Sequence, residues 1–183
     1  GWISNEAATS LFQLAGQDLT ALKSAAVQRD FKAVPLDVRA SVAVRNTIRR
    51  SNSSNVIGIL PGSKRPDEYL IYTAHWDHFG RLQDKTGDAI ANGAIDNATG
   101  VAGIITLARA FAHAAEKPER SIVFLAVTGE ESGLLGSAYY ADNPIYPLAR
   151  TAAVINIDAM YAGWPARDIV VVGSGNSDLE DYL

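Results

Sequence analysis

Three short and almost unbroken apolar runs limit what this chain can fold into. They lie at residues 69–74, 122–127 and 152–157, and helical patterns at 97–118 and 134–141 separate them. Continuous rather than alternating hydrophobicity marks strands buried on both faces. The order strand, helix, strand, helix, strand implies right-handed crossovers around a mostly parallel sheet. The expected fold is α/β, a three-layer α/β/α sandwich around a mostly parallel mixed sheet. Such sheets bind ligands beyond the carboxyl ends of their strands, so the residues that leave each run hold the chemistry.

Those residues are acidic or histidine. His75-Trp76-Asp77 leaves the first run, Glu130-Glu131 the second and Asp158 the third, while Asp96-Asn97 opens the long helix. One imidazole among several carboxylates is a donor set suited to Zn²⁺. Each piece alone has a plainer reading. His75 and Asp77, two apart and so on one side of a strand end, read equally as a metal ligand with its orienting carboxylate or as a polar turn. Asp96 alone reads as a helix cap, although a carboxylate between two cations can bridge them. Two adjacent glutamates just past a buried strand exceed what a solvated turn needs. If one binds metal, its neighbour can act as a general base. Asp158, at the end of a buried strand, requires a partner.

The rest of the chain punctuates this frame. Residues 4–30 read as two short helices, with Asn5 capping the first and Gly16 stopping it. Alternation over 38–50 predicts an edge strand, and 56–60 a second strand. Residues 78–95 form a long loop, of the kind that is usually functional in a compact domain. On the long helix Val101, Ile104, Ile105, Ala108, Phe111 and Ala112 share one face. A last strand is expected at 169–172, followed by a helix capped by Ser177. Gly173-Ser174-Gly175 lacks the rest of a dinucleotide fingerprint and reads as a loop.

Composition removes several classes. With no cysteine, disulfides and thiolate chemistry are excluded. A net charge of -4 argues against nucleic acid as partner. No stretch is long and apolar enough to span a membrane. Gly1 is not a natural start, so a removed leader and a secreted or periplasmic setting are expected.

Taken together, the blocks resemble a known family. Ala74-His75-Trp76-Asp77-His78, Asn92-Gly93-Ala94-Ile95-Asp96-Asn97, the block from Thr128 through Glu130 and Glu131 to Ser137, and Asn156-Ile157-Asp158 match, in order, the co-catalytic zinc aminopeptidases of peptidase clan MH. These include bacterial leucyl aminopeptidases, glutamate carboxypeptidase and glutaminyl cyclase. The resemblance runs from about residue 55 to 183. It implies that His75 binds one zinc and Asp77 orients it. Asp96 bridges both metals, through a cis peptide to Asn97. Glu130 is the general base, Glu131 a ligand of the second zinc, and Asp158 completes the first site. It further implies hydrolysis of the N-terminal peptide bond of a substrate with a free amine. Related carboxypeptidase or cyclase activities are the alternatives, and His75 counts against the single-zinc cyclases. His78 belongs to the motif in some members but is not a family ligand. His113, on the long helix, reads as a surface residue. Trp76, Tyr161 and Trp164 read equally as pocket lining or as packing.

The family supplies one further histidine from a loop well downstream of Asp158, and here none follows His113. The resemblance therefore divides the chain into 1–45, a helical segment like the return from an absent protease-associated insert, and 46–183, an incomplete catalytic domain. It leaves the second zinc with Asp96 and Glu131. At most one tightly held zinc, weak or no activity and a tendency to self-associate are the expectations, and an inactive metal-binding fragment is a further alternative. Two tight zincs would require a substitute ligand, with His78 the first candidate.

Overall fold

The computed structural model describes residues 2–82, 86–160, 163, 165, 167, 175 and 178–182. It divides into two compact units, 1–50 and 51–183.

The first unit holds α1 (Asn5–Leu14) and α2 (Leu19–Ala25). Ser4, not Asn5, caps α1, its hydroxyl accepting from the Ala7 amide at 3.1 Å. Ser4 has the extended backbone a cap needs, whereas Asn5 is already helical and its side chain meets Lys23 Nζ at 3.5 Å. Asp18 caps α2 by accepting from Thr20 and Ala21. The edge strand expected over 38–50 does not form, and Val42 and Val44 are largely exposed. Alternation marks a face fit for a sheet, but a strand exists only through a ladder, and among the described residues nothing pairs with this one.

The second unit is built on β1 (Val56–Leu60), β2 (Arg65–His75), β5 (Arg120–Val127) and β6 (Thr151–Asn156), in the order β1-β5-β2-β6. β2 runs parallel to both neighbours, with Ile71 beside Val123 and Val154. β1 is antiparallel to β5. The two central strands carry the core: Ile71, Val123, Leu125 and Val127 are buried together with Tyr69 and Tyr140. Burying one such aliphatic side chain contributes about 1.5–3 kcal/mol. Tyr140 comes from α4 (Leu135–Asp142). On the other face Tyr72 and Phe124 meet Phe111 of α3 (Ala98–His113), with ring centroids 6.0 and 6.5 Å from it. Helices thus flank the sheet on both faces, giving the three expected layers. The buried stripe of α3 is narrower than its sequence suggests, since Ile104 is buried but Ile105 and Ala112 are exposed.

The 78–95 loop contains a small antiparallel ribbon, β3 (Gly80–Arg81) with β4 (Ile90–Ala91). Two-residue strands leave no periodicity for a sequence reading to find. β6 ends the four-stranded sheet, with Val154 and Ile155 exposed. The strand expected at 169–172, the Ser177 cap, Gly173, Ser174, Tyr161 and Trp164 lie outside the described residues. Residues Asp178–Tyr182 form a 3-10 helix. No helix among the described residues is long and apolar enough to cross a membrane.

Candidate metal centre

Because β2, β5 and β6 run parallel, their carboxyl ends share one edge of the sheet. His75 is the last residue of β2 and is paired with Val127, the last of β5. Three residues beyond Val127 comes Glu130, and two beyond the end of β6 comes Asp158. The His75 ring is buried, with Nε2 3.0 Å from Asp96 Oδ1 and 3.3 Å from Asp158 Oδ1. Glu130 Oε2 is farther, at 3.9 Å. Nδ1 lies 3.0 Å from the Asp77 carbonyl. A carbonyl only accepts, so Nδ1 carries the proton and Nε2 presents a lone pair. Nε2 is buried without a hydrogen-bond partner, facing two carboxylates that are acceptors too. A cation reconciles the three. Ligands of a tetrahedral zinc, bonded at about 2.0–2.1 Å, stand about 3.3 Å apart, which matches the spacing of this set.

The same surroundings act on the imidazole in the metal-free chain. Burial is the largest single influence and lowers its pKa. The Asp77 carbonyl and the charges of Asp158 and Glu130 together outweigh it, so His75 holds a proton above the ordinary histidine range.

Asn97 holds this edge together. It is buried, and the Asp96–Asn97 peptide is cis. Its Nδ2 donates to the Ile157 carbonyl at 2.9 Å, and its Oδ1 accepts from the amides of Gly100 (2.9 Å) and Ala159 (3.2 Å). One side chain therefore caps α3 and fixes the chain on both sides of Asp158. Gly100 is required by this closeness, because a Cβ there would run into the Asn97 side chain and the Ile157 carbonyl.

The glutamates sit in a turn held from two sides. Thr128 N–H donates to Asn55 Oδ1, and Asn55 Nδ2 to the Gly136 carbonyl. The Glu130 carbonyl accepts from Gly133 and Leu134. Asp77 supplies the rest. Its carboxylate, expected to orient His75, stands 3.8 Å from Nδ1 and instead accepts the amides of Glu130 (3.1 Å) and Glu131 (3.3 Å). His75 is oriented by the Asp77 backbone and the glutamates by its side chain. Accordingly, Asp77→Ala is expected to weaken any metal held by the group that contains Glu131 about 10–100-fold, the scale for losing a partner that positions a ligand. The Nδ1 contact of His75 survives in that variant. Metal titration with histidine NMR checks both points.

His78, not a ligand in the family but the first substitute the sequence offers, arrives at the site. Its Nδ1 is 2.6 Å from Glu131 Oε1, and His78, Asp96 and Glu131 form a second group able to hold a metal, beside His75, Asp96 and Asp158. Asp96 belongs to both. The signal was available in sequence, since His78 follows the strand end by three residues, but a loop position gives no direction. His113 is exposed and bonds to the Arg109 carbonyl, as its helical position implied. A cavity of about 320 Å³ adjoins the centre, lined in part by Trp76, His78, Asn97, Val101 and Ile105. A larger one of about 550 Å³ lies at the amino ends of β2 and β6, among Arg65, Glu68 and Arg150, away from the site.

The profile of peptidase family M28 matches residues 55–183. The chain belongs to peptidase family M28. Among relatives of this M28 chain, a probable zinc metalloprotease of Pyrenophora teres f. teres is 43% identical over 108 residues, 58% of this chain and 22% of the relative. The aminopeptidase NAALADL1 of Rattus norvegicus is 33% identical over 129 residues, 68% of this chain and 16% of the relative. The crystal structure of a peptidase M28 precursor from Shewanella amazonensis is similar at a TM-score of 0.50 and 32% identity, over 57% of this chain and 22% of that one. The M28 chain thus spans less than a quarter of the length of each. The donor chemistry of both groups, imidazole and carboxylate, suits the zinc that the fungal relative's name carries.

Proposed function

We propose that this M28 chain carries the centre of a zinc aminopeptidase, hydrolysing the N-terminal peptide bond of a substrate with a free amine. The observation that carries the reading is Asp96. Its carboxylate is shared by two groups of potential ligands, one with His75 and Asp158 and one with Glu131 and His78, as a carboxylate bridging two cations would be. His75, Asp96 and Asp158 would hold one zinc, and Asp96 and Glu131 would contribute to the second. Zinc bound there supplies Lewis acidity toward the scissile carbonyl and makes a nucleophile available at neutral pH.

Proton transfer belongs to Glu130. Its side chain is partly exposed, and Oε2 lies 3.9 Å from His75 Nε2, wider than the spacing of the ligand atoms. A carboxylate so placed can take the proton of the attacking water and pass it to the amine that leaves. The surplus of carboxylates favours a substrate α-ammonium. No nucleic acid or membrane surface enters this reading.

Turnover of aminoacyl p-nitroanilides, compared with their N-acetylated forms and with N-blocked peptides bearing a free carboxylate, tests it. Cleavage that needs the free amine is the expected result. Cleavage that needs the free carboxylate would make this a carboxypeptidase, and conversion of N-terminal glutamine to its cyclic form would make it a cyclase.

A further inference from the structure

We propose that Asn55 is a positioning residue for the reaction, fixing the turn that carries Glu130 and so the place where its carboxylate meets the attacking water. The proposal rests on the proton-transfer reading above. β1 runs antiparallel to β5, with Val56 beside Ala126. Its entry therefore lies at the carboxyl edge of the parallel strands, next to the site. Asn55 is the residue just before β1. Its Oδ1 accepts from the Thr128 amide at 3.1 Å, and its Nδ2 donates to the Gly136 carbonyl at 2.8 Å. The Thr128 carbonyl in turn accepts from the Gly136 amide at 2.8 Å. One side-chain amide thus closes the two ends of the loop on each other, and Glu130 and Glu131 stand between them.

The clamp is closely fitted. Gly136 is buried, and a Cβ there would run into the Thr128 backbone and Asn55 Oδ1. The neighbours of Asn55 extend the brace. Ser53 Oγ meets Thr128 Oγ1 at 2.7 Å, and the Ser54 carbonyl accepts from Trp76 Nε1 at 3.2 Å. Trp76 follows His75 in sequence and donates its own amide to the Val127 carbonyl at 3.0 Å. Residues 53–55 therefore join the turn after β5 to the turn after β2, the two turns that set Glu130 against His75. Asp77 holds the Glu130 amide from inside the turn, whereas Asn55 holds the ends of the loop. A base displaced by about 1 Å can cost about 10²-fold in rate although no reacting group is removed.

Asn55→Ala is expected to lower kcat about 10²-fold at saturating zinc, with KM little changed, because the loss falls on the chemical step. The decisive measurement is a double-mutant cycle with Glu130→Gln. If Asn55 acts through Glu130, Asn55→Ala costs little once the base is gone. An equal fold-loss in both backgrounds, or an unchanged kcat, would overturn the proposal. Amide hydrogen exchange of the metal-free chain gives a readout independent of turnover. Asn55→Ala should speed exchange at Glu130 and Glu131 and leave Ile71 and Val123 of the core protected. Unchanged exchange in the turn would overturn the proposal. So would an equal loss of protection in the core, which would make Asn55 a residue of general stability. Asn55→Asp keeps the acceptor for Thr128 and loses the donor to Gly136. It replaces Asn55→Ala if that variant does not fold, and the same pattern is expected of it. A parent chain without turnover on the substrates named above would overturn the peptidase reading instead, and the exchange pattern would still decide whether Asn55 sets the turn.

Discussion

Glu130→Gln is expected to lower the turnover number by about 10²–10⁴-fold, the typical loss when a positioned general base is removed, with metal content unchanged. The turn fixes the position of residue 130 through its backbone: its amide donates to Asp77 Oδ1, and its carbonyl accepts from Gly133 and Leu134. None of these bonds involves the side chain, so glutamine enters the same place with the same shape. What it cannot do is accept the water's proton. Glu130 Oε2 is 3.9 Å from His75 Nε2, against 3.0 and 3.3 Å for Asp96 and Asp158. Zinc in the His75 site should therefore be indifferent to the change. Turnover at saturating aminoacyl p-nitroanilide and elemental analysis of the same preparation check the two halves. Unchanged turnover would remove Glu130 from the mechanism, and lost zinc would make it a ligand instead.

The parts of this site that were legible in the sequence share one property. His75 ends a strand, and Glu130, Glu131 and Asp158 follow strand ends within a few residues. A parallel sheet gathers such positions on one edge whatever the details of packing. Asp96 and Asn97 were legible as a block ahead of a helix, but spacing could not show that the Asn97 amide ties α3 to the exit of β6. That tie is long-range, across sixty residues, and depends on Gly100 allowing the approach. Asp77 was placed on the correct side of the strand, but its carboxylate makes its hydrogen bonds to the amides of Glu130 and Glu131 and stands 3.8 Å from the imidazole. A two-residue spacing fixes direction, not which of two nearby donors a carboxylate meets, and the amides of Glu130 and Glu131 are closer than the imidazole. His78 lay in a loop, where no periodicity orients a side chain, and only the fold shows that its Nδ1 meets Glu131. The edge strand read into 38–50 failed for the converse reason: its local pattern was adequate, but the pairing that makes a strand is non-local.

Asn97→Ala is the substitution expected to disturb the fold and the metal together. It removes one donor and one twice-used acceptor, leaving the Ile157 carbonyl and the amides of Gly100 and Ala159 without their partner. The Gly100 bond is buried and the other two partly so, and a fully buried group so stranded costs about 1–3 kcal/mol. Local relaxation and water recover part of that, so a net loss of about 3 kcal/mol is reasonable, or about 6–12 °C in Tm for a chain of this size. The consequence for metal follows from what the lost bonds hold. Asp96 precedes Asn97 in sequence, and Asp158 lies between two residues, Ile157 and Ala159, that Asn97 bonds. Both carboxylates around His75 Nε2 would lose their common brace. Metal affinity at that site is then expected to fall about 10–100-fold, although no ligand has been touched. Thermal unfolding of the metal-free variant reads the first effect, and metal titration well below its Tm reads the second. A lower Tm with unchanged affinity would confine Asn97 to the fold, and each carboxylate would then be held by its own strand or helix end. An unchanged Tm with weakened metal would mean that the brace matters only once Asp96 and Asp158 must meet around a cation.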